Sequence, residues 1–182
     1  PPPPPLCFTP FRAYEVCLGL VGSEMCRRVR QSQNLNDNQP VLTSELGEKG
    51  LRDPFIIRSP EGDKFYQIAT DLKIYGNGNW DASQRTGSKS IMVWESTDLV
   101  NWTDQRLVQV SPDTAGNTWA PEAYYDETIG AYVVFWASKL YAEDDPGHTG
   151  NTYNPMMYAP TRDFVPFLEA QVWVDAGYSG LA

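Results

Sequence analysis

Histidine and cysteine, which build most metal and nucleophilic centres, are scarce in this chain. One histidine and three cysteines serve all 182 residues. Cys7, Cys17 and Cys26 are odd in number, and their spacing matches neither a zinc pattern nor a Cys-x-x-Cys redox pair, so they read as incidental. His148 ends the acidic stretch Glu143-Asp144-Asp145-Pro146-Gly147 without partners for a metal, and reads as a solvated loop residue. No metal and no cofactor are expected. Positive charge is also short: 14 Lys and Arg stand against 23 Asp and Glu, a net charge of −9. That balance argues against nucleic acid and anionic membranes, both of which require clustered cations. No apolar run approaches the ~20 residues that span a bilayer. The first five residues are prolines rather than a basic and then apolar leader, so a soluble chain with no visible secretory signal is expected.

Rings and turn formers are plentiful. Six Trp, ten Tyr and seven Phe accompany 14 Gly and 15 Pro. Flat, partly polar rings suit strand cores, and they also suit stacking on sugar faces. Residues 1–39 show neither the strand nor the helix period and read as an irregular N-terminal segment. From Pro40 to Ala182, short β-branched and aromatic runs alternate with turn clusters: Pro54–Ser59 before Pro60–Lys64, Phe65–Leu72 before Tyr75–Asn79, and Ala131–Ser138 before Glu143–Asn151. The breaks at Glu61-Gly62-Asp63 and Glu127–Gly130 read as hairpin turns.

This second region says one thing twice. GDKFYQIATDL at 62–72 lies over GAYVVFWASKL at 130–140, pairing Thr70 with Ser138 and Asp71 with Lys139. IMVWESTDLV at 91–100 lies over MMYAPTRDFV at 156–165, pairing Asp98 with Asp163. Two ordered matches at nearly one spacing indicate a repeated unit that buries its apolar face only by stacking on a neighbour. Each unit divides into about four antiparallel strands, in the first at 54–59, 64–71, 90–96 and 105–110. The expected fold class is therefore all-β, made of antiparallel propeller blades, with about two blades present. The long segments 73–89 and 141–154, at the same place in each blade, are expected to build one functional face.

The motifs Leu51-Arg52-Asp53-Pro54-Phe55, Trp119-Ala120-Pro121-Glu122-Ala123 and Ser96-Thr97-Asp98-Leu99-Val100-Asn101-Trp102 occur in this order at blade spacing. Together they resemble the family 43 glycoside hydrolases, five-bladed β-propellers of the arabinofuranosidase, arabinanase and β-xylosidase type. The resemblance implies an inverting hydrolase that acts on a plant-type pentose polysaccharide or oligosaccharide outside the cell. Such chemistry needs one carboxylate to activate water and a second acid across the bond. The resemblance assigns the general base to Asp53, with Pro54 expected to bias it toward extended geometry. Trp119, Glu122 and Asp71 are candidate substrate-binding residues. The family's general acid and the Asp that tunes it come from later blades, so this chain resembles a truncated member that would be inactive alone. Two other readings stay open: a non-catalytic carbohydrate-binding propeller piece, and a β-fructosidase-type propeller, which also uses an Arg-Asp-Pro motif.

Overall fold

The computed structural model describes residues 39–76 and 78–178; the cysteines, the proline run and nearly all of the expected irregular segment 1–39 lie outside the described residues. Among the described residues, eight strands form two four-stranded antiparallel sheets. The first sheet runs β1 (Leu51–Arg58), β2 (Phe65–Asp71), β3 (Ser90–Ser96) and β4 (Arg106–Gln109), each strand beside its chain neighbour. The second repeats the order with β5 (Trp119–Asp126), β6 (Ala131–Ala137), β7 (Met156–Thr161) and β8 (Gln171–Val174). These are two consecutive propeller blades, as the text repeat implies. One six-residue helix, α1 (Trp80–Arg85), interrupts the segment after β2 that the sequence reads as loop. The Asn79 side chain caps it by accepting from the Ala82 N–H at 3.0 Å, an Asn-cap arrangement.

The blades are joined by a shared apolar core. Ile68, Ile91 and Val93 from the first sheet meet Val134, Trp136, Met157 and Ala159 from the second, all essentially buried. Tyr66, Tyr132 and Phe164 close its outer end, with Phe164 ring centroids 4.6 Å from Tyr66 and 4.7 Å from Tyr132. Such paired rings add stabilisation beyond their buried area. On the other face of the first blade, Ala69, Met92 and Trp94 are covered by Leu42, Leu51 and Trp102. The covering segment is tied down by Gln105, whose side-chain oxygen accepts from the N–H groups of Glu45 and Leu46.

The motif Ser-Thr-Asp-Leu-Val and its copy Thr-Arg-Asp-Phe-Val build the same turn. Ser96 and Thr161 each accept, through the side-chain oxygen, from the backbone N–H three residues on, where Leu99 and Phe164 take φ of 64° and 58°. Asp98 then accepts from the Asn101 N–H at 2.7 Å, the Asn101 side-chain amide at 2.7 Å and the Val100 N–H at 2.9 Å. The Asn101 donors, backbone first, and then the Val100 N–H hold its carboxyl far below the usual carboxylate range. A folded-state pKa below the unfolded one means stability present at neutral pH and lost as pH falls. The melting temperature of the parent is expected to exceed that of Asp98→Asn at pH 7. The gap should close as pH falls below about 4, where the unfolded carboxyl protonates, and on toward the lower folded value. A gap constant from pH 7 to strongly acid conditions would show that ionised Asp98 contributes nothing.

His148 departs from the solvated loop expected of it. It is buried, takes φ of 51°, stacks on Tyr141 with centroids 4.3 Å apart, and its Nδ1 meets the Arg85 carbonyl. Arg85 returns the contact by donating to the carbonyls of His148 at 2.8 Å and Gly150 at 2.9 Å. The single histidine thus pins the loop after β6 onto the end of α1.

Candidate functional site

The inner strands β1 and β5 lie side by side. Each carries the same irregularity. In β1 the ladder to β2 is regular at Arg52↔Thr70 and resumes at Phe55↔Ile68, so Asp53 and Pro54 together face one residue. In β5 it breaks between Trp119↔Ala137 and Glu122↔Phe135, which leaves Ala120 and Pro121 as the extra pair. The bulge residues have φ of 47° at Asp53 and 50° at Ala120. Left-handed backbone is costly for residues with a Cβ, and a bulge re-aims the side chain it carries. The extended geometry expected of Asp53 is therefore corrected. A following proline disfavours the right-handed region, and the bulge takes the left-handed one instead.

Asp53 is exposed, and its Oδ2 accepts a hydrogen bond from the Thr70 hydroxyl at 3.2 Å. The same Thr70 oxygen accepts from the Ala120 N–H at 2.8 Å. Thr70 is fully buried, and it links the two bulges across the boundary between blades. Beside Asp53, the Arg52 guanidinium carbon lies 5.2 Å from the ring centre of Trp80, the first residue of α1. Trp119, half-buried, meets Trp80 edge-on at 5.9 Å and 82°. The result is a wall of two indoles and a cation next to a carboxylate. Trp80 and Arg52 were not singled out from the sequence. The signal for Trp80 lay in the turn-rich segment Gly76–Asn79, long enough to bring a ring back over the inner strand.

The other expected residues separate. Glu122 is exposed, two residues past Ala120, at the register position that Phe55 holds in the first blade. It is not the counterpart of Asp53, whose place in the second blade is held by Ala120. Asp71 is only 3% exposed, and its Oδ1 accepts from the Glu48 N–H at 2.8 Å. Burial raises its pKa, and hydrogen bonds from Ser88 and Glu48 oppose the shift. Gly47, at φ of 62°, packs so tightly on this carboxyl that a Cβ there would stand 2.1 Å from Oδ2. Asp71 is thus buried and holds the turn ahead of β1. Its register partner is Ser138, not Lys139, because Thr70 superposes on Ala137. A cleft of about 630 Å³ is lined by Glu48, Lys73, Tyr75 and Ser83, and Asp53 is not among its lining residues.

The sequence of this chain matches a family model described as "Probable glycosyl hydrolase domain", of the family-43-related type, over residues 27–181. The chain belongs to the family-43-related glycosyl hydrolases. The match starts upstream of the boundary at 40 read from composition. This family-43-related domain is 46% identical over 156 residues to an α-L-arabinofuranosidase of Bifidobacterium longum subsp. longum, covering 79% of this chain and 15% of that protein. Among solved structures, a thermostable family-43 glycoside hydrolase shares 19% identity and a TM-score of 0.48, covering 75% of this chain and 38% of its own. A family 43 β-1,3-galactosidase crystallised with galactodeoxynojirimycin shares 15% identity and a TM-score of 0.42, covering 71% of this chain and 38% of its own. The chain therefore spans well under half the length of these relatives.

Proposed function

We propose that these residues supply the water-activating half of an inverting glycoside hydrolase that removes pentose units, of the α-L-arabinofuranoside class, from plant-type polysaccharide. The observation that carries this reading is Asp53. It is an exposed carboxylate held at φ of 47° in an inner-strand bulge and oriented by a buried hydroxyl, in a glycosyl hydrolase family chain. The likeness to the arabinofuranosidase supports the pentoside class. Strain kept at one residue requires surroundings that over-determine it, and functional sites concentrate such residues.

The chemistry follows from the geometry. Asp53 accepts a proton from the attacking water, while one of its oxygens stays fixed by Thr70 so that the other faces the water. Trp119 and Trp80 offer indole faces and edges to the apolar face of the sugar ring, and Arg52 offers N–H donors to its hydroxyls. Glu122 lines the open side of the second blade and reaches sugar units farther along the chain. Inversion also requires an acid on the far side of the bond, ~6.5–9.5 Å from the base. The 182-residue polypeptide by itself is accordingly expected to be silent on aryl arabinofuranosides. In the full-length enzyme, proton NMR of the first-formed sugar should show an anomeric configuration opposite to that of the substrate. A first product of retained configuration would make Asp53 something other than a water-activating base.

A further inference from the structure

Thr70 sits where two independent constraints meet. Its hydroxyl oxygen accepts from the Ala120 N–H at 2.8 Å, and its single proton is directed to Asp53 Oδ2 at 3.2 Å. A hydroxyl has one proton, so accepting from the backbone on one side leaves that proton free to be aimed only at the carboxylate. Thr70 itself is fully buried on β2 and cannot turn to water. Both ends of the relay are left-handed bulge residues, at φ of 47° and 50°, and they belong to different blades. The backbone of the second blade thereby sets the direction in which the first blade's carboxylate receives its hydrogen bond.

We propose that Thr70 is the positioning residue for the general base. It fixes the Asp53 carboxylate in one rotamer and relays to it the seating of the second blade's bulge. The proposal rests on the reading of Asp53 as the base. Thr70 does not touch substrate, so its loss should appear in turnover and not in substrate affinity. Thr70→Val keeps the shape of the side chain and removes the relay, whereas Thr70→Ser keeps the hydroxyl and removes only a methyl group.

The test is steady-state kinetics of both variants and of Asp53→Asn in the full-length enzyme, on 4-nitrophenyl α-L-arabinofuranoside, normalised to the folded fraction from near-ultraviolet circular dichroism. Thr70→Val is expected to lose about 30-fold or more in kcat with KM within about twofold, and Thr70→Ser to stay within about threefold of the parent. If Thr70→Val does not fold, Thr70→Ala, which leaves room for a water at the vacated position, is measured in its place against the same expectation. Parental kcat in the hydroxyl-free variant, or a loss that Thr70→Ser shares equally, overturns the proposal. Retained activity in Asp53→Asn overturns the base assignment and this proposal with it. An inactive Asp53→Asn beside a fully active Thr70→Val overturns the relay alone.

Discussion

Replacing Asp53 by Asn in the full-length protein is expected to lower kcat on an aryl arabinofuranoside by about a thousandfold, the middle of the range for a general base. The substitution keeps the shape of the side chain and an oxygen that accepts from Thr70 at the position of Oδ2. What it removes is basicity: an amide does not take a proton from water near neutral pH. Because Asp53 is exposed and forms no ion pair among the described residues, the folded state should be unaffected and circular dichroism unchanged. KM should change little, since the groups proposed to hold the sugar are Trp119, Trp80 and Arg52. Activity above about one tenth of the parent would remove Asp53 from the chemistry, because no general base contributes so little.

The second large effect falls on the boundary between blades. Trp136 lies at the centre of the shared core with no exposed surface, and its indole N–H donates to Ser111 Oγ at 2.8 Å. Ser111 in turn shares a 2.6 Å hydrogen bond with Thr118, the residue before β5. Trp136→Ala removes the largest fully buried side chain among the described residues and leaves a cavity between the sheets, at an expected cost of about 3–5 kcal/mol. Against a typical total of roughly 5–15 kcal/mol, that is a large share of the stability of any domain. Trp173 on β8 provides the contrast: it is 56% exposed and meets Phe135 and Tyr158 only edge-on. Trp173→Ala should cost about 1 kcal/mol or less, as surface substitutions do. Denaturant unfolding of the two variants measures the difference, and equal losses would mean that the interblade core does not hold the blades together. Activity should fall with folding in Trp136→Ala, since the bond from Ala120 to Thr70 crosses the same boundary.

Much of this architecture was legible as text. Short β-branched and aromatic runs between turn clusters, such as Ile91–Trp94 and Ala131–Ala137, announced strands. The paired Asp98 and Asp163 motifs announced a repeat, and their turns superpose residue for residue because the hydrogen bonds are local. The other textual match slipped by one position. Aligning Thr70 with Ser138 sets Ile68 on Trp136, yet the structure superposes Ile68 on Phe135. Ile68 and Trp136 look alike in sequence because both are core residues, but they enter that core from opposite blades. In a strand, a slip of one residue exchanges the two faces, and apolar character alone does not report which face is meant.

The sequence by itself determined the all-β class, the count of blades and the family, because strand-and-turn runs and short motifs are properties of neighbours in the chain. Only the tertiary structure decided what each acid and ring faces. It turned Asp71 inward under the Gly47 turn, buried His148 against Tyr141, and brought Trp80 onto Arg52, the chain neighbour of Asp53. The physical reason is common to all of these. Each position depends on a hydrogen bond or ring contact between residues apart in the chain, and that of Asp53 also on a left-handed bulge tied through Thr70 to the neighbouring blade. Thr70 is the clearest case: in the text it is one more β-branched strand residue, and in the fold its single proton is what aims the carboxylate.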